Sequence, residues 1–274
     1  MSCMRLFRMI NLIRKKVKVF QQILAELIKE IKVSKKALFV ISLSALCLVF
    51  IRYLTSFNEL ILFLELVHLT SIGEYLTEVR NDVQDQQLFD LIYWTICRVF
   101  FYLIIPILSI KLILNQKISD FGWRLSDNFT KDLKIFFVFF GFMFPLVFWV
   151  STQESFLIKY PFYRPSSQDH IYPNLFIWEI FYFLQFISLE FFFRGFLVHG
   201  LKKEIGDYSV LVMVIPYCMI HFQKPFLETI GAIFAGLILG YLSLRKNSIV
   251  TGVALHFSVA ITMDVFALYH LGYI

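Results

Sequence analysis

Glu190 and Arg194 stand four residues apart in Glu190-Phe191-Phe192-Phe193-Arg194, inside a run that is otherwise almost wholly apolar. A carboxylate and a guanidinium in apolar surroundings each cost several kcal/mol unless they are paired or line a wet cavity, so such residues mark function by default. Two later apolar segments carry His221 and His256. If the three segments pack together, one Glu, one Arg and two His meet in a single polar pocket, which is enough to activate water. The i, i+4 spacing puts Glu190 and Arg194 on one helix face, so a purely structural ion pair is the competing explanation. His221 follows Tyr217 by one turn and precedes Gln223-Lys224-Pro225, a setting that also suits a hydrogen-bonded histidine at a helix interface. His256 has apolar neighbours, and Asp264 lies about two turns later on nearly the same face, where it could orient a histidine or hold a water. Glu228 opens the following apolar segment and also suits the helix dipole there. Two His and one Glu are ligand types of catalytic zinc, but no H-E-x-x-H pattern is present, so a metal-free site is expected, with zinc as the lesser option.

The elements that carry these residues are membrane helices. With 274 residues, 58% hydrophobic, 18% aromatic and only 17% charged, the chain is too apolar for an ordinary soluble domain. The net charge of +6 does not point to nucleic acid, because ten of the 26 Lys and Arg fall within the first 36 residues. That is a juxtamembrane pattern, suited to anionic lipid and to setting topology. Between residues 5 and 32 the apolar positions alternate spacings of three and four among basic residues, which predicts an amphipathic surface helix, with a coiled coil as the alternative. The four cysteines, Cys3, Cys47, Cys97 and Cys218, are isolated and read as small apolar residues rather than disulfide partners. No cleavable signal peptide is apparent.

Apolar segments at about 37–53, 88–114, 134–151, 174–200, 208–222, 226–244 and 248–272 predict seven spans in an all-α polytopic transmembrane helix bundle. The acidic stretch 54–87 carries two capping-box patterns, Ser56 to Glu59 and Ser71 to Glu74, read as short helices outside the membrane or only partly in it. An eighth crossing within 57–80 is the alternative. Lys and Arg in the connecting loops fit a cytoplasmic N-terminus and an external C-terminus. The expected organisation is a basic N-terminal helix over 1–36, N-terminal spans with an acidic external loop over 37–116, and a membrane core over 117–274. By helical rise, Glu190, His221 and His256 then lie roughly 15, 20 and 12 Å from the cytoplasmic face, close to one level.

These residues resemble the CPBP membrane proteins, which comprise the type II CAAX prenyl endopeptidases and bacterial Abi-type relatives. Leu189-Glu190-Phe191-Phe192-Phe193-Arg194 looks like that family's Glu-Glu-x-x-x-Arg motif, Tyr217-Cys218-Met219-Ile220-His221 like its Phe-x-x-x-His motif, and His256-Phe257-Ser258-Val259-Ala260 like its His-x-x-x-Asn motif. Lys224-Pro225, Glu228, Gly236 and the upstream Asp120-Phe121-Gly122-Trp123-Arg124-Leu125 extend the likeness over roughly residues 117–266. The resemblance implies intramembrane proteolysis, in which a glutamate and a histidine activate water and other polar residues hold the oxyanion. By position, Glu190 would be the base, His221 would assist it, Arg194 would position the carboxylate and His256 would belong to the oxyanion site. Asp264, Glu228 and Tyr217 would support them. Three positions depart from the pattern: Leu189 replaces the first Glu, Tyr217 the Phe, and Ala260 the Asn, for which Asp264 one turn on could compensate.

The expected function is thus metal-independent endopeptidase action, without a cofactor, on a membrane-tethered peptide or lipidated protein in a bacterial cytoplasmic membrane. Membrane lipid is the other partner, and nucleic acid is not one. The alternatives are a non-proteolytic immunity or scaffold protein with a degenerate site, and a proton-coupled transporter.

Overall fold

The computed structural model describes residues 13–23, 26, 34–165 and 171–274, and among them every regular element is helical. Residues 13–23 form an exposed helical stretch inside the expected amphipathic segment, whose remaining parts at 5–12, 24–25 and 27–32 lie outside the described residues, as does Cys3. Among the described residues six helices are long and apolar enough to cross a membrane: α1 Lys35–Leu54, α4 Gln86–Leu112, α5 Phe129–Ser151, α7 Ile171–Ile205, α9 Phe226–Lys246 and α10 Val250–His270. Between them lie the short helices α2 Phe57–Leu66, α3 Thr70–Asp82, α6 Glu154–Lys159 and α8 Tyr208–Met219. The chain is an integral membrane protein built as a polytopic helical bundle.

The fifth of the seven expected spans, 208–222, is the twelve-residue helix α8. At 1.5 Å per residue it covers roughly 18 Å, short of the ~30 Å hydrocarbon core. It ends early because the chain turns at His221 to Lys224, where the Thr229 hydroxyl of α9 donates to the His221 carbonyl at 2.7 Å. The stretch 57–80 holds α2 and α3, each shorter than a span. Ser56 stands at the N-cap position of α2 but its side chain makes no cap hydrogen bond, and Ser71 lies inside α3, which starts at Thr70. Arg80 at the end of α3 grips Asp90 of α4 through two hydrogen bonds of 2.7 and 2.6 Å, an interhelical contact. Arg98 lies over the ring of Trp94 on its own helix, 4.0 Å from the centroid.

Two helices depart from α geometry for readable reasons. α4 widens to a π-turn over Phe100–Ile104, just before Pro106. Proline lacks an N–H and crowds the carbonyl four residues back, so a local shift of hydrogen-bond register accommodates it. α7 carries a longer π segment, Phe191–His199, which starts immediately after Glu190 and includes Arg194. Such π-bulges concentrate at functional sites.

The core forms around this π segment. Phe191, Phe192, Phe193 and Phe196 are fully buried in one cluster with Tyr102 of α4 and Tyr217 of α8. Half of the most apolar window of α7 is buried inside the protein, against 6% for α5, whose Phe137, Val138, Phe142 and Trp149 point outward. An apolar exterior of this kind suits lipid. α8 presses against Gly236 and Gly240 of α9, a G-x-x-x-G spacing that lets helix backbones approach closely. A Cβ on Gly240 would stand 2.6 Å from Val210 Cγ1 and 3.0 Å from Met213 Cε. Cys47, Cys97 and Cys218 are free, as their isolation in the sequence implies.

Gly240→Leu is expected to overpack the α8/α9 contact and cost about 1–3 kcal/mol. Thermal unfolding in detergent reads this as a lowered midpoint, with Gly141→Ala, where a Cβ meets nothing within 4 Å, unchanged.

Candidate active site

Glu190 and Arg194 are both completely buried, with Arg194 Nη1 3.0 Å from Glu190 Oε1. The contact is an ion pair rather than an aligned hydrogen bond, since Nη1 makes no aligned hydrogen bond to the carboxylate. The guanidinium instead lies against the ring of Tyr217, 4.0 Å from its centroid, where the face of the π-system attracts the cation. The carboxylate is held from a second side. His256 Nδ1 is 2.8 Å from Glu190 Oε1, so α10 and α7 are joined by a carboxylate–imidazole hydrogen bond. An ionised carboxylate only accepts, so His256 donates through Nδ1–H and presents Nε2 away from Glu190.

The space for this contact comes from Gly252, one turn before His256. A Cβ there would stand 2.9 Å from Glu190 Oε2, so any larger residue would push the carboxylate out of place. Gly252 is a site residue that the motifs do not name, although its i−4 relation to His256 puts it on the same helix face. Glu190 Oε2 itself has no hydrogen-bond partner among the described residues and is free to accept one.

His221 and Tyr217 complete this group. His221 Nδ1 is 2.8 Å from the Tyr217 carbonyl, which can only accept, so this ring also donates through Nδ1 and leaves Nε2 for other partners. Tyr217 lies between the two histidines, its ring centroid 4.9 Å from that of His221 and 6.2 Å from that of His256. Its hydroxyl is 3.5 Å from His256 Nε2. Phe186 closes the other side of His256, with ring centroids 4.5 Å apart. The fold therefore gathers Glu190, Arg194, Tyr217, His221 and His256 from three helices and the turn that ends α8.

Asp264 and Glu228 do not join that group. Asp264 is buried on α10, but its Oδ2 accepts from Trp178 Nε1 of α7 at 3.5 Å, so it neither orients His256 nor replaces the missing Asn. Eight residues on a helix amount to a turn of about 800°, which leaves its side chain about 80° from that of His256. Glu228 accepts from the Tyr160 hydroxyl at 2.7 Å and pairs with Lys224 Nζ at 3.5 Å. Lys224 also donates to the Tyr160 hydroxyl and lies 4.4 and 4.2 Å from the ring centroids of Tyr160 and Phe162. This second cluster fastens the 152–165 connection over the end of the bundle where α9 begins. Leu189 and Ala260 are both buried in apolar packing, Leu189 in the cluster around Phe192 and Ala260 in the one around Trp178 and Tyr182. Among the described residues no group of three His, Cys, Asp or Glu is arranged to hold a metal ion.

Residues 172–262 match the family model for type II CAAX prenyl endopeptidase Rce1-like proteins. The match covers about a third of the chain and contains Glu190, Arg194, Tyr217, His221 and His256. The CPBP resemblance thus holds over the part of the bundle that carries the site, and this part is similar to CAAX-type intramembrane proteases. The chain matches no curated protein and no solved structure.

Two outcomes test this geometry. Gly252→Ala should displace the Glu190 carboxylate and lower the unfolding midpoint by the equivalent of about 1–3 kcal/mol, whereas Gly231→Ala, with open space at its Cβ, should not. Lys224 lies in the connection between α8 and α9, outside the spanning helices, and burial lowers its pKa to about 8 from 10.5, with the nearby Glu228 opposing the shift. Between those values the unfolded chain holds a proton that the folded chain has released, so stability should rise as pH climbs from about 8 to 10.5. Thermal unfolding across that range should show the rise in the native protein and a flatter profile in Lys224→Met.

Proposed function

We propose that this chain is a metal-independent intramembrane endopeptidase in which the Glu190–His256 pair, rather than a lone glutamate, is the general base. The observation that carries this reading is the 2.8 Å bond from His256 Nδ1 to a carboxylate with no exposure to solvent. A carboxylate that receives Nδ1–H fixes the tautomer whose Nε2 lone pair takes a proton, and it stabilises the cation that results. Leu189 removes the glutamate that the family pattern places first, and the dyad supplies a base that does not need it. His256 Nε2 accepts a proton from water, the hydroxide adds to the peptide carbonyl, and collapse of the tetrahedral intermediate returns the proton to the leaving amine. Arg194 holds the carboxylate ionised and in place. His221, with its Nε2 also unengaged by the backbone, holds the attacking water or the leaving group. The substrate is a peptide that reaches the site from the membrane, either lipidated or tethered by its own apolar segment, and the outward-facing apolar helices suit its lateral approach.

A non-proteolytic role of the immunity or scaffold type has one observation in its favour: Leu189 and Ala260 fill with apolar packing the two positions where the family pattern has Glu and Asn. In that role Glu190 and His256 would only hold α7 and α10 together.

Variant assays separate the two. His256→Ala, which leaves the Glu190–Arg194 pair intact, and Glu190→Gln, which removes the charge, should each lower cleavage of a membrane-tethered peptide by about 10³-fold or more. Both proteins should still insert in the membrane. Cleavage at the native rate in both variants would refute the endopeptidase reading. An unaltered cellular phenotype in Glu190→Gln and His221→Ala would favour the scaffold.

A further inference from the structure

The Tyr217 side chain carries one atom that packing does not explain. Every ring contact it makes would be made equally by phenylalanine: Phe193 at 5.2 Å between centroids, His221 at 4.9 Å, and the Arg194 guanidinium at 4.0 Å. Gly236 of α9 makes room for that ring, with its Cβ position 3.0 Å from Tyr217 Cδ1, a distance that would be the same for Phe. The hydroxyl is therefore an addition to a complete packing unit. It is a costly one, because Tyr217 is 1% exposed and a buried hydroxyl without a good hydrogen bond costs about 1–3 kcal/mol.

Arg194 reaches the hydroxyl as a donor, but the hydroxyl's own proton has no close acceptor. His256 Nε2 stands 3.5 Å away, well beyond the ~2.7–3.0 Å of a good O–H donor bond. The two atoms are too far apart to satisfy each other well, yet close enough for both to contact one small group lying beside them. His256 Nε2 is the atom that takes the proton of the attacking water in the dyad. In that mechanism the Tyr217 O–H, 3.5 Å from Nε2, lies beside the attacking water and so within reach of the carbonyl oxygen that gains charge. The position where the family pattern has Asn offers no such donor, because Ala260 ends in a methyl group within apolar packing. The Arg194 guanidinium on the ring face draws electron density from the phenol and makes its O–H a better donor.

We propose that the Tyr217 hydroxyl is a catalytic hydrogen-bond donor to the scissile carbonyl oxygen, occupying functionally the place of the amide side chain that Ala260 lacks. The proposal rests on the endopeptidase reading. The phenol keeps its proton throughout. It contributes a fixed dipole aimed at developing negative charge, and such donors act most strongly where water is excluded.

Tyr217→Phe deletes only this atom and keeps the packing. The assay uses the full-length protein in proteoliposomes, with a fluorogenic farnesylated peptide that ends in a CAAX tail, and with a boronic acid version of that peptide. The boronate adds water to become tetrahedral and anionic, as the reacting carbonyl does. Tyr217→Phe should lower kcat by about 10²–10³-fold with KM within about twofold, and should weaken boronate binding by a comparable factor. Glu190→Gln serves as the control for the reading beneath the proposal. If Tyr217→Phe keeps kcat within about threefold of the native value while Glu190→Gln is inactive, the hydroxyl has no catalytic role and the endopeptidase reading stands. If the native protein cleaves neither better nor worse than Glu190→Gln, or cleaves nothing and ignores the boronate, the endopeptidase reading fails and takes this proposal with it.

Discussion

A guanidinium and a carboxylate with no access to solvent lie at the centre of the bundle, and much of the surrounding architecture serves to make them tolerable. Removing one partner of such a pair would leave an uncompensated charge, at a cost of about 3–5 kcal/mol. The chain distributes the compensation over three helices. α7 supplies both charges, α8 lays the face of Tyr217 under the guanidinium, and α10 brings His256 to the carboxylate. The π segment that starts after Glu190 and the bare Cα of Gly252 set the positions at which these contacts close. The ion pair is thus less a local helix staple than the point at which three helices are registered against each other.

That arrangement changes the meaning of the carboxylate. In the sequence Glu190 reads as an isolated base that has lost its neighbour at Leu189. In the fold its Oε1 is engaged by both Arg194 and His256, so its chemistry is exercised through the imidazole. A glutamate one position earlier would point about 100° away around the helix, which is where Leu189 now packs among apolar side chains. The site therefore has its own internal logic: a buttressed imidazole in one wall, a second imidazole turned by a backbone carbonyl in another, and a phenol between them.

Much of this was legible from the residues alone. The lengths of the apolar segments marked the long helices, because a spanning helix must satisfy its own backbone and its length is set by the bilayer. The comparable depths of Glu190, His221 and His256 anticipated their gathering, since depth follows directly from residue count along a helix. Rotation about the helix axis was harder to read. Asp264 has a suitable depth but faces Trp178, because two nominal turns leave an angular error that grows with each residue and decides the neighbour. The short α8, the π segment of α7 and the proximity of Gly252 to Glu190 depend on tertiary packing and carry no periodic signal. The Lys224–Tyr160–Glu228 cluster joins residues 64 and 68 positions apart, a pairing that no local pattern announces.

The claim at the centre of this account is that the Glu190 carboxylate holds His256 by its Nδ1–H and so directs Nε2 toward the reaction. Imidazole nitrogen NMR on the histidine-labelled protein in lipid nanodiscs reads that tautomer directly, without a substrate. The account predicts a His256 ring protonated at Nδ1 in the native protein, with that preference lost in Glu190→Gln. A native His256 protonated at Nε2 with a bare Nδ1, or a signal that Glu190→Gln does not alter, would contradict it.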